Sequence, residues 1–192
     1  MEEIINKRPF ITYEEFLNSI NNRIVIKWVF FHPFFYIMIN QYKICAIKEG
    51  YLEKDKRNII STLEVNKVES FISETEIMTI FYCYIDEVCG NFVFAIDENF
   101  FLTTSIELEK IIKEEVRECM KELKRSEMKF VCIVEAREIT KDGRKINLKF
   151  SLWRAKKNFY KEENLKFICL LEGKAKFQKP KLSLPMSLSS KF

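Results

Sequence analysis

The 192-residue sequence has only four glycines, four prolines and one histidine. With so few, no Gly-rich phosphate loop, no Ser/His/Asp arrangement and no metal-ligand set can be recognised along the chain. The lone histidine, His32, precedes Pro33 in an aromatic run and reads as a packed residue rather than a catalytic one. Six cysteines, at 45, 83, 89, 119, 132 and 169, lack metal-ligand spacing and mostly lie in apolar runs. They read as buried free thiols of an intracellular, reducing compartment. A net charge of +4 is too small to argue for nucleic acid by itself. The longest apolar run, Ile24 to Ile39, is broken by Lys27, His32 and Pro33, which excludes it as a spanning helix. The start, MEEIINKRPF, is acidic and lacks an apolar signal core. No internal repeat is visible. Neither a metal nor a cofactor is expected.

What is present is a globular composition, 47% apolar and 31% charged, with 18 phenylalanines that call for a large aromatic core. The chain is organised around Ser73 to Ile106. The stretch SETEIMTIFYCYIDEVCGNFVFAI places Ile77, Ile80, Phe81, Tyr84, Ile85, Val88, Phe92 and Ile96 at helical spacing. Its opposite side carries Met78, Tyr82, Cys83 and Cys89, so the helix is apolar nearly all round and reads as buried. Ser73 and Glu76 form a capping box at its start. One acid, Asp86, interrupts the apolar sequence. Phe100 to Leu108 follows as a strand.

Before this stretch, Thr12 and Glu15 form a second capping box ahead of a short helix with Phe16, Leu17 and Ile20. Residues 24–31 suit a strand or a buried connector, and Phe34 to Asn40 suits one or two helical turns. Residues 42–52 and 57–65 read as a hairpin around Glu53-Lys54-Asp55-Lys56. After it, residues 109–127 form an amphipathic helix with Ile112, Val116, Cys119, Met120 and Leu123 as its apolar stripe. Lys113, Arg117, Lys121 and Arg125 recur every fourth residue. Such a basic row could touch phosphate, but interleaved Glu114, Glu118 and Glu122 favour the reading of a solvated face. Residues 130–139 and 144–153 flank Lys141-Asp142-Gly143, a tight-turn signal. In residues 165–177, Phe167, Cys169, Leu171, Ala175 and Phe177 alternate onto one side. The tail from Gln178, with Pro180 and Pro185, reads as mobile.

The resulting element order predicts an α+β fold, an antiparallel sheet curling around one helix. It resembles the hotdog superfamily, and within it the PaaI-like acyl-CoA thioesterase branch. The resemblance rests on His32-Pro33-Phe34-Phe35, on STLEVN ending at Asn66, and on Tyr84-Ile85-Asp86-Glu87-Val88-Cys89-Gly90. It continues in LTTSIELEKI, VEAREITKDGRKINLKFSLW and LLEGKAKF. It covers residues 33–177, with 109–127 as a helical insertion. Residues 1–32 are left as an N-terminal helix and connector, and 178–192 as the tail.

The resemblance implies acyl-thioester chemistry with Asp86 as general base or nucleophile. The acyl chain would lie near Ile77, Met78, Thr79 and Phe81, and the thioester carbonyl would take hydrogen bonds from the Met78 or Thr79 N–H. It also implies a homodimer, or a heterodimer with a related hotdog chain. The family's His-Gly-Gly at the helix start is degenerate here: the corresponding positions are Ile77, Met78 and Thr79, and Glu74 and Glu76 add negative charge beside them. Two other readings follow. One is a catalytically inactive hotdog module serving as a structural or partner-binding subunit, with Asp86 a satisfied polar residue. The other is a ribosome- or nucleic-acid-associated protein using Lys174, Lys176, Lys179 and Lys181, which the dispersed acids disfavour.

Overall fold

A computed structural model describes residues 10–21, 23–26, 45–68, 73–97, 101–156 and 166–180. The His32-Pro33-Phe34-Phe35 segment, the turns expected over Phe34 to Asn40 and most of the tail lie outside these residues. In chain order the elements are β1 (Phe10–Thr12), α1 (Tyr13–Ile20), β2 (Ile24–Ile26), β3 (Cys45–Leu52), β4 (Asn58–Val65) and α2 (Glu74–Ile96). There follow β5 (Leu102–Ile111), α3 (Lys113–Leu123), β6 (Met128–Ile139), β7 (Lys145–Lys156) and β8 (Lys166–Gln178).

Among the described residues every strand pairing is antiparallel. The sheet runs β1-β8-β7-β6-β4-β3-β2, and β5 also pairs with β8. The strand that follows the helix, β5, thus closes the sheet at the far edge from the hairpin that precedes the helix. A sheet so connected around one long helix is the hotdog architecture. β1 and β2, in the segment expected as helix and connector, pair with β8 and β3 at opposite ends of this order.

The core forms where α2 meets the sheet. Ile77, Phe81, Tyr84, Ile85, Val88 and Phe92 pack with Ile59, Leu63, Phe130, Leu148, Phe150 and Leu152, all essentially without exposure. By length and composition α2 could cross a membrane, but 67% of its most apolar window is buried inside the fold, as befits a core helix. A smaller apolar cluster lies on the sheet's other side: Ile60, Val131, Ile133, Trp153, Phe167 and Cys169, with Ile20 of α1 packed against it. Phe167 and Cys169 therefore do not share a side with Leu171, Ala175 and Phe177. The β7–β8 register shifts between Leu152 and Trp153, which face Leu171 and Cys169. This leaves Leu170 as an extra residue, and one extra residue reverses the facing of all that follow.

The expected helix over 109–127 is shorter, Lys113–Leu123. Glu109 to Ile111 continue β5, where Lys174 pairs with Glu109, Lys176 with Glu107 at 3.0 Å and Lys110 with Glu172 at 3.4 Å. The β6–β7 loop is longer than a two-residue turn. The Thr140 N–H donates to Lys145 O at 3.0 Å, and Gly143 adopts φ +63°, a conformation open to glycine at little cost. At Gly173 a Cβ would lie 2.2 Å from Glu107 O and 2.5 Å from the Phe150 ring. Glycine there is what lets β5 approach β8 this closely.

Candidate functional site

The site is built on α2. Its start is fixed by the expected capping box. The Ser73 N–H donates to Glu76 Oε2 at 2.7 Å, and the Glu76 N–H donates to Ser73 Oγ at 3.2 Å. The Ser73 hydroxyl and backbone N–H hold the Glu76 carboxyl below its usual pKa. The equivalent box at α1 is also formed, between Thr12 and Glu15.

From this start, helical rotation sorts the expected site residues onto two sides. Ile77 and Phe81 face the sheet at 1% exposure each, and the Phe81 ring lies 4.9 Å from that of Phe130. Thr79 is exposed and donates its hydroxyl to Thr75 O at 2.9 Å. Asp86 is half-buried in the same outward sector, together with exposed Tyr82 and half-buried Gly90. Met78 lies between the two sides and packs on the edge of the core. The helix thus brings Thr79 and Asp86 to one face, while Ile77 and Phe81 form the wall behind it.

Asp86 is tied to the neighbouring strand. The Thr103 hydroxyl, on β5, donates to Asp86 Oδ1 at 2.8 Å. No other hydrogen bond to the Asp86 carboxylate forms among the described residues. One oxygen is therefore oriented and the other is left to solvent or ligand.

The helix start differs from the arrangement that the resemblance implies. α2 begins at Glu74, and the Ile77 N–H already donates to Ser73 O at 3.2 Å. The N–H groups of Met78 and Thr79 lie within the i to i−4 ladder and are committed to it. They are not free donors for a carbonyl oxygen.

Some buried polar residues were not singled out in the sequence. Tyr84 is fully buried, its hydroxyl donates to Ser61 Oγ at 2.8 Å, and burial pushes its pKa well up. Glu87 and Asn91 are buried at 1% and 3% exposure, and Asn91 Nδ2 donates to Glu87 O at 2.8 Å. Their i, i+4 spacing within an apolar helix was a readable signal. Arg154 of β7 has no exposure at all. It donates to Glu122 Oε2 at 2.8 Å, to Glu115 Oε2 at 2.6 Å and to Glu118 Oε2 at 2.5 Å. Lys156 joins at Glu118, 2.8 Å away. The signal for this cluster was a single arginine inside the apolar run FSLWRA, and nothing local names its partners.

All six cysteines are buried and free. Burial pushes Cys45 up to about 12 and Cys83 up to about 11, so both stay thiols. Among the described residues no group of three or more His, Cys, Asp and Glu side chains is placed to hold a metal ion. Three of the four lysines of the nucleic-acid reading are paired: Lys174 with Glu109, Lys176 with Glu107 and Lys179 with Asp97. Lys181 lies outside the described residues.

No protein-family model matches the chain, and no curated protein matches it. Solved structures do. One is a candidate thioesterase from Syntrophus aciditrophicus, 13% identical, with TM-score 0.48, covering 86% of this chain and 97% of its own. Another is a thioesterase family protein from Silicibacter pomeroyi, 10% identical, with TM-score 0.44, covering 78% of this chain and 91% of its own. At these identities and scores no residue role carries across from either.

Proposed function

We propose that this hotdog protein binds an acyl thioester along the outward face of α2, with Asp86 as general base. The carboxylate takes a proton from water as the water oxygen adds to the thioester carbonyl carbon. The tetrahedral adduct then expels the thiolate, which takes up the proton, leaving a carboxylic acid and a thiol. The observation that carries this reading is the placement of Asp86. It is the one acid on the outward side of α2 beyond its first turn, with one oxygen oriented by Thr103 and the other unengaged among the described residues. Met78 and Thr79 line the same end of the helix, and Ile77 and Phe81 support them from behind. Titration of the protein with acyl-CoA by calorimetry is expected to show saturable binding that Met78→Trp weakens. Absence of binding for every chain length would remove this reading.

A second reading has its own observation. The N–H groups that would stabilise an oxyanion at Met78 and Thr79 are used up in the helix ladder, and Ser73 and Glu76 close the end of the helix on themselves. An oxyanion donor alone is worth about 10²–10³ in rate. This favours a hotdog module that binds without turning over, as a partner-binding or structural subunit. Binding without hydrolysis is the result that selects it.

We propose that the protein assembles as a homodimer, or as a heterodimer with a related hotdog chain. β5 pairs with β8, and most of its residues are exposed along ten positions. Such an edge needs cover. A second copy paired along β5 would close over Thr103 and Asp86. Sedimentation at micromolar concentration is expected to report a dimer, and a compact monomer would contradict it. The buried, protonated thiols suit the reducing compartment proposed for this protein.

A further inference from the structure

The charge balance read along 109–127 does not survive folding. Glu115, Glu118 and Glu122 turn towards the sheet and are held by Arg154 and Lys156. What α3 leaves outward is Lys113, Arg117 and Lys121, all exposed, with half-buried Lys124 beside them and Glu114 as the acid within the row. None of these four cations forms an ion pair among the described residues. Arg125 extends the row, and exposed Lys67 adjoins its end, where the Val68 N–H donates to Leu123 O at 3.0 Å.

We infer that the outward face of α3 is a binding surface for the phosphate backbone of a nucleic acid. The cations spread over about 80° of a convex helix face, with a rise of about 6 Å between successive i, i+4 cations and about 16 Å from end to end. An elongated convex face of cations suits a repeating, extended polyanion. A compact group of phosphates, as on a nucleotide cofactor, needs cations that converge on it. Within α3 itself there is no aromatic residue and no exposed large apolar one, so the helix face offers neither base stacking nor insertion into a bilayer. Contacts of this kind position a strand without reading its sequence. This surface is independent of Asp86 and of the acyl-thioester reading.

The test is fluorescence anisotropy of a labelled single-stranded RNA of about 20 nucleotides, of mixed sequence, over a series of salt concentrations from about 50 mM upward. Four phosphate contacts predict that log K falls against log salt with a slope of roughly −3. The variant Lys113→Gln, Arg117→Gln, Lys121→Gln, Lys124→Gln keeps helix propensity, and circular dichroism checks its fold. It is expected to bind more weakly by at least about tenfold, with a flatter slope. Removing the same charge from paired lysines, as Lys110→Gln, Lys174→Gln, Lys176→Gln and Lys129→Gln (Lys129 pairs with Glu64 at 3.1 Å), should leave most of the affinity. The inference is overturned if RNA does not bind at low salt, or if both quadruple variants lose affinity equally. Binding of anionic vesicles in place of RNA overturns it too, as does displacement of RNA by equimolar coenzyme A.

Discussion

Replacing Glu115, Glu118 and Glu122 together by glutamine is expected to destabilise the fold by about 3–5 kcal/mol, the cost of leaving a buried charge without its partner. The size follows from an asymmetry in burial. Arg154 has 0% side-chain exposure, while the three glutamates retain 26%, 47% and 37%. Neutralising the carboxylates strands a guanidinium that water cannot reach. Removing the arginine instead lets the carboxylates return to water. Arg154→Met is therefore expected to cost clearly less than the triple glutamine variant. Chemical denaturation reads both from the midpoint at constant slope. Equal losses would mean that Arg154 contributes chiefly through packing.

The same cluster sets a pH dependence. The Glu118 carboxyl is held below its usual value, first by the hydrogen bond from Lys156 and then by Arg154. A depressed folded-state value contributes stability above the unfolded carboxylate range and loses it as pH falls through the folded value. The gap between wild type and the triple glutamine variant should narrow on acidification.

Phe81→Ala is expected to cost about 3–5 kcal/mol, in the range for a fully buried aromatic truncated in a packed core. Its ring is 1% exposed and sits 4.9 Å from that of Phe130, tilted by 54°. Phe130 lies on β6, and its register partner on β7 is Arg154, on the same face of the sheet. The cavity would open between α2 and the sheet, where neither can collapse without disturbing the other. Thr79→Ala, two residues away on the outward side, should change stability within about ±0.5 kcal/mol. Thermal or denaturant unfolding of the pair tests the inward and outward assignment of α2. A large loss for Thr79→Ala would contradict it.

The parts of the fold legible in the sequence are those written in local spacing. Both capping boxes, the length of α2 and the hairpin arms depend on residues within a few positions of one another. The end of β5 was misplaced because Glu109 to Ile111 carry helical charge spacing, while cross-strand lysines on β8 decide their state. The sides of Phe167 and Cys169 were misassigned because a single extra residue at Leu170 is invisible to an alternating pattern. The Arg154 cluster was not readable because its partners are 32 to 39 positions away. At the site, Asp86 stood out as the acid of an apolar helix. Its link to Thr103, 17 positions on, needed the fold. The resemblance implied an acyl chain near Ile77, Met78, Thr79 and Phe81, and the turn of the helix sets Ile77 and Phe81 towards the sheet while Thr79 and Asp86 face outward.

The measurement that bears most directly on the role of Asp86 is acyl-CoA hydrolysis under single-turnover conditions, followed by thiol release, for wild type and Asp86→Asn. A general base is worth about 10²–10⁴ in rate. Thiol release by the wild type is expected, falling by that factor in Asp86→Asn, with acyl-CoA binding retained. Release at the same rate from both proteins, or none above background from the wild type, would contradict a catalytic Asp86.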